Sequence, residues 1–231
     1  MAIPIALPQP KPLEDLLAQL PKTNAVEYRR GQLIYNAAQS LDRVYIVTEG
    51  KVMVSRIVNQ DKQVVVDICQ PSDIFGESAL VNGFARGEQA SALENARVMS
   101  WTAAEVVDRV TRQSRLGVAL LQTLARREAE LTWRMESLAV DTIHLRVARS
   151  LIRLSGRIGT RQEDGSARMA PLTHKMLSQY IGSTREIVTH HMTEFRKMGY
   201  LNYSRNGIVI YRDALMEWLQ RNSRGEVTGW N

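Results

Sequence analysis

Apolar and polar positions change their rhythm partway along this chain. From residue 26 to about 99 the apolar residues come in short β-branched runs: Val44-Tyr45-Ile46-Val47, Lys51-Val52-Met53-Val54-Ser55 and Val64-Val65-Val66-Asp67-Ile68. Such side chains suit a pleated, half-buried surface and predict strands. Turn-forming residues separate the runs at Glu49-Gly50, Asn59-Gln60-Asp61-Lys62 and Gln70-Pro71-Ser72-Asp73. Closely spaced strands with tight turns predict a small antiparallel barrel or sandwich. Residues 1–25 precede them as a proline-bearing lead-in, with a short helix expected over 12–20.

Beyond residue 102 the spacing becomes helical. Thr102, with Glu105 three residues on, makes a capping box ahead of a helix over 103–110. A longer helix over 116–140 has no Gly or Pro after Gly117. In it Leu124, Leu131 and Leu138 recur every seventh residue, Leu121 and Met135 fill the complementary heptad positions, and Glu128 interrupts the stripe. The stripe reads either as a short coiled-coil seam joining two chains or as the core-facing side of a helix. A further helix is expected over 143–158, then a polar loop over 159–170. Helices over 174–181 and 184–198 flank a turn at Gly182-Ser183, with Thr173 and Ser183 as their N-caps. Leu177, Ile181, Ile187, Val188, Met192 and Phe195 form their buried face. The stretch 201–211 reads as a hairpin with a type I′ turn at Asn206-Gly207.

Helix, glycine-bearing turn, helix and hairpin follow one another in the order of a winged helix-turn-helix. With its apolar face buried, the second helix keeps Thr184, Arg185, Glu186, Thr189 and His190 on or near its exposed N-terminal half. Arg pairs bidentately with guanine, Glu accepts from cytosine N4, and Thr contacts a methyl group or a phosphate. Ser183 stands at the same end, where the helix dipole favours phosphate. Lys175, His191, Arg196, Lys197 and Arg205 are candidate phosphate contacts, which position without specifying. The alternative is a merely solvated polar face, and the turn, the wing and the local charge together argue against it. Between His144 and Arg212 stand twelve Lys/Arg against four Asp/Glu, a surplus of eight on a chain of net charge +6, so the remainder is at −2. A polyanion is drawn to the C-terminal third alone.

Other chemistries find little support. No run of 18 apolar residues is present to span a membrane, and the N-terminus lacks the basic-then-apolar order of a secretory signal. The single cysteine, Cys69, suits a reducing compartment, so a cytoplasmic location is expected. One thiol does not hold an iron–sulfur cluster. All four histidines (His144, His174, His190 and His191) follow the long helix, so no haem is expected in the N-terminal part. The neighbours His190 and His191 are expected on different sides of their helix, not as a chelate. No nucleophile–base order, metal-ligand spacing or phosphate-binding glycine loop points to an enzyme. A bare ligand-binding module would have no helix-turn-helix.

Phe75-Gly76-Glu77-Ser78-Ala79-Leu80 followed by Arg86, together with Gly182-Ser183-Thr184-Arg185-Glu186-Ile187-Val188, resembles the CRP/FNR family of bacterial regulators over nearly the whole chain. The resemblance implies an α+β chain. Residues 26–112 would be a cyclic-nucleotide-binding-type antiparallel β-roll, 113–141 a dimerisation helix, and 142–231 a winged helix-turn-helix. It implies a homodimer on double-stranded DNA, with Leu121, Leu124, Leu131, Met135 and Leu138 at the dimer interface and RNA polymerase as a further partner. Gly76, Glu77, Ser78, Arg86, Gly87, Leu131 and Thr132 would line the effector site. The nucleotide-binding pattern has a hydroxyl residue where this chain has Gly87, and a threonine facing the base where it has Leu131. These differences favour another ligand, or none, over cyclic AMP, which stays as the alternative effector. In the DNA helix, His190 stands where the nucleotide-responsive members carry an Arg, so the third base contact differs.

Overall fold

The computed structural model describes residues 20, 23–38, 41–59, 62–81 and 87–225. Most of the expected helix over 12–20, residues 60–61 of one turn, and Arg86 lie outside them. The chain divides into two compact units. One lies within Met1–Val52, Cys69–Arg86 and Ala90–Arg127, the other within Met53–Ile68, Gly87–Gln89 and Glu128–Asn231.

The N-terminal part of the chain is built on strands. β1 (Val26–Tyr28), β8 (Ala96–Thr102), β3 (Arg43–Glu49) and β6 (Ile74–Phe75) form an antiparallel sheet in that order. A second sheet runs β2 (Leu33–Tyr35), β7 (Glu88–Ala92), β4 (Val52–Asn59), β5 (Lys62–Cys69). In β3, Val44, Tyr45, Ile46 and Val47 are all buried, so both faces of the strand are covered. That explains why its sequence reads as a continuous apolar run and not as an alternation. Val44 and Ile46 pack with Leu20, Ile74, Trp101, Val106 and Leu116. Tyr35, Tyr45 and Phe75 stack on one another, with ring centres 5.3 Å apart for Tyr35–Tyr45 and 5.1 Å for Tyr45–Phe75. Each large buried apolar side chain contributes about 1.5–3 kcal/mol.

The helix α1 (Ala103–Arg112) starts at the expected capping box. The Thr102 hydroxyl accepts from the Glu105 amide at 3.2 Å, and the Glu105 carboxylate accepts from the Thr102 amide at 2.7 Å. The Thr102 amide, and then the Thr102 hydroxyl at 2.9 Å, donate to the Glu105 carboxylate and hold it below its usual pKa. The long helix α2 (Ser114–Val140) runs for 27 residues, about 40 Å at 1.5 Å per residue.

In the second unit, α3 (Ile143–Ile158) occupies the expected span and buries Leu145, Val147, Ala148, Leu151, Leu154 and Ile158. The polar loop expected over 159–170 is instead a hairpin, β9 (Thr160–Arg161) and β10 (Ala167–Met169). Two strands this short carry too few side chains to show an alternation. They extend a four-stranded sheet in the order β11 (Leu201–Ser204), β12 (Gly207–Ile210), β10, β9. The helices α4 (His174–Ile181) and α5 (Arg185–Lys197) lie between β10 and β11 in the chain, and α6 (Arg212–Gly225), which the periodicity did not announce, follows β12.

The wing turn differs from expectation. Ser204 pairs with Gly207, so Arg205 and Asn206 form the loop. Among the described residues only Ser72 has positive φ without being glycine, which excludes a type I′ turn, where both loop residues need it. Gly207 is required for a different reason. A Cβ there would lie 2.3 Å from the Met169 carbonyl oxygen of the neighbouring strand.

Candidate nucleic-acid interface and effector site

The two helices of the helix-turn-helix are fixed by caps and one glycine. The Thr173 hydroxyl accepts from the Met176 amide at 3.1 Å and starts α4. Gly182 ends it with φ +75°, donating its amide to the Ser178 carbonyl at 2.9 Å. A side chain there would also come 3.0 Å from Leu138 Cδ2. The N-cap of α5 is Thr184, not Ser183. The Thr184 hydroxyl accepts from the Ile187 amide at 3.3 Å, while the Ser183 amide closes α4 on the Ser178 carbonyl at 3.0 Å. Both residues are N-cap types, and the extra residue in the turn decides between them.

Leu177, Ile181, Val188, Met192 and Phe195 form the expected buried face. Ile187 does not join them and is exposed. Arg185, Glu186 and His190 are also placed on the first two turns of α5; Arg185 and Glu186 are exposed, the His190 side chain is 66% exposed, and Thr189 lies between them. The Glu186 carboxyl lies below its usual pKa, through its own backbone amide and then the Thr184 hydroxyl. It is therefore an anion at neutral pH and only accepts hydrogen bonds. Thr189 donates its hydroxyl to the Arg185 carbonyl at 2.8 Å, and His174 Nδ1 lies 2.9 Å from the same hydroxyl oxygen. With the hydroxyl proton so engaged, the imidazole N–H is the donor, which fixes one tautomer. Burial, and then the charge of Arg185, lower the His174 pKa. Lys175, Lys197 and the wing-turn Arg205 are all exposed. Arg196 is exposed too, its guanidinium 5.0 Å above the Tyr203 ring of the wing.

Two histidines depart from expectation. The His191 side chain is only 14% exposed and its Nδ1 lies 3.0 Å from the Glu194 carboxylate, which withdraws it from the set of phosphate contacts. His190 Nε2 lies 3.3 Å from the same Glu194 oxygen, and the two imidazole rings are 5.1 Å apart. At 100° per residue, Glu194 falls angularly between them, so the rings converge on it and do not diverge.

Along α2, Leu121, Leu124, Leu131, Met135 and Leu138 are all 38–68% exposed. The stripe is thus open to solvent in the single chain and is not a core-facing side.

The effector candidates are described unit by unit. In the first, Gly76 (φ +75°) precedes a 3-10 turn, Glu77–Leu80, that carries Ser78. A Cβ on Gly76 would lie 2.8 Å from Tyr45 Cδ2 and 2.9 Å from the Arg43 carbonyl oxygen. Glu77 forms an ion pair with Arg127, which also donates to the Ile74 carbonyl at 2.8 Å. The structure thus gives Glu77 a partner on α2. In the second unit, the Gly87 carbonyl (φ +79°) accepts from the Ile57 amide at 2.8 Å, and a Cβ there would lie 2.8 Å from the Ile57 carbonyl oxygen. A hydroxyl side chain at 87 would be strained by both φ and space. Leu131 is exposed, and the Thr132 hydroxyl is bonded to Glu128 at 2.9 Å.

Sequence reasoning passed over Arg127 and Arg134. Arg134 donates to the Val66, Val65 and Tyr180 carbonyls at 2.6, 3.0 and 2.9 Å, and sits 4.3 Å over the Tyr180 ring. The two arginines stand seven residues apart beside the leucine stripe. That repeat was the available signal.

Comparison with known proteins agrees with this geometry. The cyclic nucleotide-binding domain family matches residues 25–113, and the Crp-like helix-turn-helix domain family matches residues 145–218. A Mycobacterium tuberculosis protein described as a CRP-like cAMP-activated global transcriptional regulator is 27% identical over 203 residues, covering 87% of this chain and 89% of that one. The global nitrogen regulator of Synechocystis is 24% identical, covering 82% and 85%. Among solved structures, a CRP/FNR-family transcriptional regulator from Thermus thermophilus superposes with TM-score 0.69 at 26% identity, covering 85% and 98%. FixK2 from Bradyrhizobium japonicum shares the fold with TM-score 0.71 at 22% identity, covering 84% and 97%. Two domain matches in their family order, carried on this fold, place the chain in the CRP/FNR family of transcription regulators.

Proposed function

We propose that the chain acts in the cytoplasm as a homodimer paired along α2, setting two copies of α5 into successive major grooves of a near-palindromic site. The observation that carries this reading is the Thr184-capped N-terminal half of α5, which presents Arg185, Glu186 and His190. Arg185 and Glu186 read base edges, His190 supplies a further contact, and Lys175, Arg196, Lys197 and Arg205 hold phosphates. Ser183 and Thr189 support the same end of the helix. The open stripe of Leu121, Leu124, Leu131, Met135 and Leu138 is the pairing surface. RNA polymerase is the partner through which such a complex would act on transcription.

For the effector we favour a ligand other than cyclic AMP. Backbone geometry denies position 87 a hydroxyl, and Glu77 is already neutralised by Arg127. The cyclic AMP reading draws support from the description of the Mycobacterium tuberculosis relative and from Gly76 and Glu77. Selection from a randomised duplex pool, with and without cyclic AMP at fixed salt, separates the two. Enrichment of a two-fold site regardless of nucleotide is expected. Enrichment only with cyclic AMP would overturn the effector reading, and no enrichment under any condition would mean a missing effector or a mistaken function.

A further inference from the structure

On α5, His190, His191 and Glu194 bring two imidazole nitrogens and a carboxylate oxygen within 4.8 Å of one another. Both imidazoles address the same oxygen of Glu194, at 3.3 Å and 3.0 Å. In tetrahedral zinc, with ligands at about 2.0–2.2 Å, neighbouring donor atoms stand about 3.3 Å apart. The two nitrogen-to-oxygen edges therefore already match a coordination tetrahedron. Helical spacing holds them there, because Glu194 is four residues after His190 and three after His191. The inner ligand is held firmly, since the His191 side chain is 14% exposed, while His190 at 66% leaves the fourth position open to water. His144, with its ring 6.3 Å from that of His191 and edge-on to Trp218, stands outside the ligand set.

We propose that His190, His191 and Glu194 form a divalent transition-metal site on α5, of the two-imidazole, one-carboxylate kind that suits zinc, with water as the fourth ligand. Mixed nitrogen and oxygen donors of this type exclude the hard cations magnesium and calcium, which take oxygen ligands. A bound ion would hold the His190 ring where it already stands, against Glu194, and keep it from turning to the groove. Metal and specific duplex therefore compete at this residue, a consequence that rests on the DNA-facing placement of His190 proposed above.

The test is a titration of the tag-free full-length protein with zinc against a chromophoric chelator, and with cobalt as a visible-absorbing substitute, in the absence of DNA. One equivalent per chain is expected, with tetrahedral cobalt absorption. His190→Ala and Glu194→Gln, both with exposed side chains, should each weaken binding about tenfold or more, whereas His174→Ala and Cys69→Ser should leave it unchanged. Absence of binding, or binding indifferent to His190→Ala and Glu194→Gln, would overturn the site. A second titration measures duplex affinity with and without zinc. Loss of affinity in the wild type but not in His190→Ala supports the competition, and an unchanged affinity in both overturns the competition while the DNA-free titration still decides the site.

Discussion

At the scale of single residues, Arg185 and His174 carry the sharpest consequences. A bidentate arginine–guanine contact is worth about 1–3 kcal/mol of discrimination. Arg185→Ala should accordingly relax preference at one position of each half-site, read by fluorescence anisotropy on matched and mismatched duplexes. Lys197→Ala should lower affinity evenly across sequences and reduce the salt slope by about 1. If Arg185→Ala weakened all sequences equally, the helix assignment would fail. His174 bears on pH. Its imidazole is held below the usual value by burial and then by Arg185, so the folded state takes up its proton less readily than the unfolded state. Stability from this group is thus present above the unfolded histidine pKa of about 6.5 and declines as pH falls below it. Urea midpoints from pH 8 to 5 should fall more for the wild type than for His174→Gln.

Elements in this protein are set by their ends as much as by their faces. Since Thr184 and not Ser183 caps α5, Thr184→Ala should cost about 1 kcal/mol of stability, while Ser183→Ala should cost little. Urea unfolding of the two variants distinguishes the caps, and equal losses would contradict the observed geometry. The wing depends on a close approach of strands. Gly207→Ala forces a methyl group to within 2.3 Å of the Met169 carbonyl oxygen, and overpacking against backbone costs about 1–3 kcal/mol. The expected result is a lower urea midpoint and weaker DNA binding. Arg196, stacked on Tyr203, is a side chain that ties α5 to this wing.

For the whole molecule the exposed stripe of α2 is the decisive surface. A helix 27 residues long with Leu121, Leu124, Leu131, Met135 and Leu138 open to water leaves apolar area that pairing would bury. Leu121→Glu combined with Met135→Glu should give a monomer by sedimentation, with far-ultraviolet circular dichroism retained and affinity for a two-half-site duplex lost. A double variant that remained dimeric would place the interface elsewhere.

The sequence by itself determined the order of most elements and the chemical character of the DNA-facing helix. Buried strands declared themselves because both faces of β3 are covered, giving an apolar run through Val44–Val47. The caps Thr102 and Thr173, the turn at Gly182 and the buried positions Leu177, Val188, Met192 and Phe195 were legible because each depends on residues a few positions away. Tertiary structure alone decided the partners that lie far along the chain. Among them are Arg127 on Glu77, Arg134 on three carbonyls, the Met169 oxygen that demands Gly207, and the Ile57 backbone that denies Gly87 a side chain. It also decided the β9–β10 hairpin, in which β10 pairs with distant β12 as well as with β9 and owes its place to that pairing more than to local preference. The physical reason is the range of the interactions. Caps, helical faces and turns are settled within about one helical turn of chain, whereas ion pairs, strand pairing and steric exclusion are settled by whichever residues folding brings alongside.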